Sequence, residues 1–156
     1  MALYSLDQLR GLKELLTVAH KTWLRWTRGI DVPRSVKLSL SARLAASAPG
    51  AITVGEETLI AFKTLIYTRD PLTGDDRPVR IGKHCFIGGG SLIAPGVTIG
   101  DQCIVGAGSI VFEDVPDHCI VGGNPARVLR RDVELGRFGV LPVARENTHR
   151  LWTPFG

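Results

Sequence analysis

At 156 residues, with 44% hydrophobic and 22% charged residues, the chain is composed for one globular domain with its own core, not for a disordered segment. A formal net charge of +4 without a dense Lys/Arg block suits an anionic small molecule or a membrane surface and argues against nucleic acid. No apolar run reaches bilayer-spanning length and the N-terminus lacks the ordered regions of a signal peptide, so the cytoplasm is the expected location.

Residues 1–30 predict a helical segment, as one helix or a pair. Ser5 and Gln8 form a capping box, and Leu9, Leu12, Leu16, Ala19 and Trp23 fall at helical spacing. Arg10, Lys13, Lys21, Arg25 and Arg28 make the remainder basic. Two roles stand for it. One is a cap over the open end of a solenoid. The other is a weak, peripheral contact with anionic lipid at the inner face of a membrane.

A six-residue beat then takes over. From Ile81 the chain reads IGKHCF, IGGGSL, IAPGVT, IGDQCI, VGAGSI, with Val111 opening the next unit. Four positions after each lead residue come Cys85, Ser91, Val97, Cys103, Ser109 and Val115, a series that repeats every three units. A six-residue repeat nested in an 18-residue one predicts a parallel β-helix with triangular coils. The beat continues upstream at Val54, Ile60 and Ile66, and can be followed back through Ala48, Ala42 and Val36. The solenoid is thus expected over 31–130. Cys85 and Cys103, one period apart, stack in its interior as small hydrophobes. Three cysteines without CxxC spacing argue against a disulfide framework and against zinc, and no metal is expected.

The beat is lost over 67–78, "YTRDPLTGDDRP", which predicts a loop thrown out of the scaffold. Arg69 and Arg77 could hold a phosphate or carboxylate there, and Asp75 and Asp76 sugar hydroxyls. A solvated turn built on Thr73–Asp76 explains the same residues. At one corner, 18-residue stacking sets His84 between Gln102 and Glu57 once the loop is skipped. Neighbouring strands lie ~4.8 Å apart, so Glu57 could orient the imidazole; a polar corner residue is the plainer reading. Asn124-Pro125 reads as the turn out of the last coil, and 131–156 as an extended tail.

The run from Ile81 to Arg130, with its "GGNPARV" exit, resembles the hexapeptide-repeat acyltransferases, most closely the maltose and galactoside O-acetyltransferases and the polysaccharide-modifying acetyltransferases. The resemblance spans about Val54 to Arg130, roughly half of the chain. It implies an all-β, left-handed parallel β-helix and a homotrimer with sites between subunits. It also implies acetyl-CoA, or another acyl-CoA, as donor to a small or lipid-linked sugar acceptor. By the resemblance the backbone at Gly89 and Ala107 lines a pantetheine channel, the neighbouring Gly88 and Gly108 keep the corner shape, and Arg127 and Arg130 meet CoA.

The family's catalytic His lies in the loop, in a motif close to Tyr-Thr-Ala-Thr-His-Pro-Leu. Anchored on Pro71-Leu72, its place is taken by Asp70. Phe86 stands for a Trp that borders the site, and Phe112-Glu113 for a Thr-Lys pair. Candidate catalytic residues are therefore His84, Glu57 and Asp70, and the substrate-binding candidates are Arg69, Asp75, Asp76, Arg77 and Phe86. A non-catalytic trimeric scaffold that lost its base is the competing expectation. A zinc enzyme of the same architecture needs three His per site, and the repeat holds only His84 and His118.

Overall fold

The structure, a computed structural model, describes residues 6–142. A helix, α1 (Leu6–Arg28), precedes short strands that are parallel in three sheets until the last. The first sheet holds β1 (Lys37–Leu38), β4 (Leu59–Ile60), β7 (Phe86–Ile87), β10 (Ile104–Val105) and β12 (Ile120–Gly123). An antiparallel strand, β13 (Ala126–Arg130), closes it. The second sheet holds β2 (Arg43–Ala45), β5 (Leu65–Tyr67), β8 (Leu92–Ile93) and β11 (Ile110–Val111). The third holds β3 (Ile52–Val54), β6 (Val79–Ile81) and β9 (Thr98–Ile99), extended by a bridge from Ile99 to Val115.

From β1 to β11 consecutive strands fall in different sheets, and every third strand is a hydrogen-bonded neighbour. The chain therefore visits three faces in turn, each circuit stacking on the one before. The register keeps the repeat: Ile81 pairs with Ile99, and Ile87 with Val105. Lead residues such as Ile60, Ile66, Ile87 and Ile93 are fully buried. Corners need a left-handed residue, which Glu57, His84, Gln102 and His118 supply along one edge with φ between 53° and 58°. None of these residues is glycine, which adopts that conformation at no steric cost, so these corners are held by the stack itself.

The second inward position carries small residues that hydrogen-bond to the adjoining coil. Thr58 Oγ1 donates to the Gly82 carbonyl at 2.8 Å and accepts from the Cys85 amide at 3.1 Å. The Cys85 thiol donates to the Gly100 carbonyl and the Cys103 thiol to the Pro116 carbonyl, each at 3.1 Å. All three cysteines are free and buried. The neighbouring Cys103 sulfur and burial push the Cys85 thiol pKa well above its ordinary value, and burial raises that of Cys119.

The upstream register differs from the sequence reading. Leu38 pairs with Ile60 and Leu44 with Ile66, so these two leucines are the leads. Val36 and Ala42 lie level with Thr58 and Thr64, at the second inward position. Counting back by sixes from Val54 fails because the turn after Ala45 makes the Leu44–Val54 spacing ten, not six.

α1 is one helix; the Ser5 half of its expected capping box lies outside the described residues. It ends at Gly29, whose φ is +60°. The Gly29 amide donates to the Arg25 carbonyl, the bond of an αL C-cap, and the Ile30 amide to that of Leu24. Leu24 packs into the core, and Lys21 Nζ donates to the carbonyls of Val36 at 2.7 Å, Pro33 at 3.1 Å and Arg34 at 3.3 Å. At the far end, a tight turn at the cis Asn124–Pro125 bond reverses β12 into β13. Beyond it the chain runs back along the Glu57–His118 edge as a strap that includes a short 3-10 turn, Arg137–Gly139.

Candidate functional site

The coil sorts the candidate residues onto three separate edges. Glu57, His84, Gln102 and His118 line the edge between the third and first sheets. Gly88, Gly89, Ala107 and Gly108 line the edge between the first and second. The loop that carries Arg69 and Asp70 leaves from the edge between the second and third. A single chain brings together the members of each set, but not one set with another.

The loop is a compact hairpin rooted in the coil. Thr68 is buried, and its Oγ1 accepts the Ser47 amide at 2.8 Å and lies 2.9 Å from the Ser47 hydroxyl. The Arg77 amide donates to the Thr68 carbonyl at 2.7 Å, and Arg69 bridges Asp76 in antiparallel fashion. Asp70 Oδ1 accepts the amides of Leu72 at 2.8 Å and Thr73 at 3.4 Å, an Asx turn that fixes the tip. Arg77 pairs with Asp75 at 3.5 Å while the stem of its side chain lies against Gly96. Arg69, Asp75 and Asp76 are exposed, and Leu72 at the tip is 94% exposed.

At the edge between the third and first sheets the Glu57 Oε2 atom lies 3.5 Å from His84 Nδ1, a buried nitrogen with no hydrogen-bond partner among the described residues. Glu57 Oε1 accepts from Arg137 Nε at 2.6 Å. Arg137 belongs to the strap, which is sewn down this edge: the Val133 amide donates to the His118 carbonyl, the Leu135 amide to Gln102 Oε1, and the Phe138 amide to the Glu57 carbonyl. His118 Nδ1 lies 3.0 Å from the Val133 carbonyl oxygen. Lys37 Nζ sits 3.9 Å from the centre of the Phe138 ring. Gly139 passes so close to Phe86 that an added Cβ would lie 2.5 Å from the Phe86 Cβ. Phe86 is accordingly half-buried under the chain's own strap, not open in a groove.

The edge between the first and second sheets is lined by small residues at Gly88, Gly89, Ala107 and Gly108. A Cβ on Gly88 would meet the Ala107 nitrogen at 2.5 Å, and one on Gly89 would meet the Phe62 ring at 2.7 Å. Phe62 itself is largely exposed. Arg127 meets Glu113 at 3.5 Å with both side chains exposed, so it can exchange that partner at little cost. Arg130 sits at the end of β13, in register with Ile120. Among the described residues no three His, Cys, Asp or Glu side chains cluster as a metal site.

A family model, the hexapeptide repeat of succinyl-transferase, matches residues 78–113. YvoF of Bacillus subtilis, whose name assigns it provisionally to the acetyltransferases, is 36% identical over 127 residues, 80% of this chain and 70% of that one. The chain belongs to the hexapeptide-repeat acetyltransferases. Within that family, nodulation protein L of Rhizobium meliloti is 54% identical over 86 residues, 49% of this chain and 47% of that protein. The match thus spans about half the length of that relative. A solved hexapeptide-repeat acetyltransferase of Vibrio cholerae, complexed with acetyl coenzyme A, is 25% identical with a TM-score of 0.57. The likeness covers 83% of this chain and 90% of that one.

Sequence reasoning paired Glu57 with His84 but missed what holds them. Arg137 lies in a stretch with no periodicity, so nothing in the sequence aims it at Glu57 across eighty positions. Ser47, which anchors the root of the loop, was hidden by the register slip upstream of Val54. Residues 143–156 of the expected tail lie outside the described residues.

Proposed function

We propose that this family member transfers an acetyl or related acyl group from acyl-CoA to a hydroxyl or amine of a sugar or glycan precursor, in the cytoplasm. The coil is read as left-handed and the working unit as a homotrimer. The observation that carries this reading is the 36% identity to YvoF over four fifths of the chain. The likeness to a structure that holds acetyl-CoA supports the donor, and the loop motif around Pro71-Leu72 supports the sugar.

In such a reaction a base removes the acceptor proton as its oxygen or nitrogen attacks the thioester carbon; the C–S bond then breaks and the CoA sulfur takes up a proton. The small-residue edge of Gly88, Gly89, Ala107 and Gly108 would let the pantetheine arm approach backbone amides, which can also hold the developing oxyanion. Arg127 and Arg130 would meet CoA phosphates. Arg69, Arg77, Asp75 and Asp76 would hold the acceptor. Because these sets occupy different edges of one coil, a complete site calls for an edge from each of two copies, which supports the trimer.

Two side chains are offered as the base. His84 has a carboxylate 3.5 Å from one ring nitrogen, the arrangement that orients an imidazole. Asp70 holds the family's His position, with Oδ1 committed to the Asx turn. Thiol release from acetyl-CoA, followed with a panel of sugar acceptors, tests the function: acceptor-dependent release supports it. Neither release nor CoA binding with any acyl-CoA would overturn it. His84→Gln and Asp70→Asn assign the base, the true one lowering kcat by about 10²–10⁴.

A further inference from the structure

α1 is attached to the coil by the wrong face for a simple cap. The side that touches the coil is Leu24, 2% exposed, and Lys21, whose Nζ binds three coil carbonyls. At 100° per residue, Leu12, Leu15, Leu16, Trp23 and Trp26 share an arc about 100° wide on the opposite side. All five are exposed, Trp26 by 84%. The most apolar stripe of the helix thus points away from the protein, over roughly 20 Å of its length. An amphipathic helix ordinarily buries that stripe.

We propose that α1 lies flat on an anionic phospholipid surface, its leucines and tryptophans entering the headgroup–acyl boundary. Three observations select lipid. The helix carries five Lys/Arg against two acidic residues, so it is net cationic. Arg25 lies at the tryptophan end of the helix, exposed, with only a 4.0 Å contact to Asp31, and Arg28 stacks over Trp23 at 5.9 Å. Pairing the stripe with the same stripe of a second copy would bring these like charges together, whereas anionic headgroups neutralise them. Both described tryptophans lie at one end of the stripe with those arginines, the combination suited to a membrane–water interface. No helix among the described residues is long and apolar enough to cross a bilayer, so the geometry is that of a helix on the surface.

A cleft of about 590 Å³ opens at the same end, between Trp23, Trp26 and Arg28 on one side and Ala46–Pro49 on the other. Ser47 in its wall is the residue bonded to Thr68 at the root of the loop. The docked surface would therefore lie on the side of the molecule where the loop begins. The docking itself stands independently of the transferase reading.

The test is flotation of the full chain with vesicles of equal parts phosphatidylcholine and phosphatidylglycerol, against vesicles of phosphatidylcholine alone. Binding is expected to the anionic vesicles only and to fall with added salt. Trp23→Ser with Trp26→Ser should weaken it at least about tenfold, and Arg25→Gln with Arg28→Gln should remove the preference for anionic lipid. In a Trp152→Phe background, brominated acyl chains should quench the helix tryptophans, a readout that needs no variant of the stripe. No flotation at low salt, or no quenching, overturns the proposal. Self-association that the tryptophan variant abolishes, in a protein that ignores vesicles, would assign the stripe to a second copy instead.

Discussion

Replacing Gly82 with Ala tests how tightly the coils stack. Gly82 follows the lead Ile81 and has no left-handed φ, so its backbone would accept alanine without strain. By the unfolded-state argument alone the change would stabilise the protein by about 0.4–1 kcal/mol. The stack opposes it. The new Cβ would stand 2.6 Å from the Gly100 carbonyl oxygen and 2.7 Å from its carbon. Those atoms are backbone, so relief requires the coils to part locally by about half an ångström. Opening that gap strains the Gly82 amide bond to Ile99 and the Lys83 amide bond to Asp101 Oδ1, 2.8 and 2.9 Å long. Overpacking of this kind costs about 1–3 kcal/mol, so the net expectation is a loss of about 1–2 kcal/mol. With urea slopes of about 1–3 kcal/mol per molar, the unfolding midpoint should fall by on the order of 0.5–1 M at fixed protein concentration. Gly11→Ala in α1 is the control, because nothing lies within 4 Å of its new Cβ; it should leave the midpoint unchanged or raise it. A Gly82→Ala midpoint equal to or above the parent's refutes the stacking argument.

Three further outcomes follow from the same geometry. Cys85, Cys103 and Cys119 should resist a thiol reagent in the native protein and all react after denaturation; fast native labelling would contradict their burial. Lys21→Met removes three bonds from a charged donor and should loosen α1 by about 1.5–3 kcal/mol, seen as faster amide exchange in the helix than in the coil. Equal exchange in both would show that Leu24 alone holds the helix. Arg137→Ala should cost no more than about 1 kcal/mol, since the arginine is largely exposed, and the loss should shrink at high salt. A salt-independent loss of several kcal/mol would mean that the strap is held by more than this pair.

What the sequence alone determined is the regular part of the coil. From Ile81 to Val111 each lead residue is six positions from the last, and the structure stacks them in the same order. That information is local, because a triangular coil sets one side chain per hexapeptide against its own repeat. The same arithmetic placed Cys85 and Cys103 inside and Glu57 beside His84. Tertiary structure decided the rest. A longer turn after Ala45 reset the upstream register to Leu38 and Leu44, since hydrogen bonds to the next coil fix a strand more firmly than spacing does. The strap lacks any period, so only its bonds to the corner residues reveal that it covers Phe86 and holds Glu57 through Arg137. Stacking relates residues along one edge and says nothing across edges, so the three candidate sets came apart when the coil closed. Periodicity showed that α1 has an apolar face, but not where it points; Leu24 and the Lys21 clamp turned that face outward.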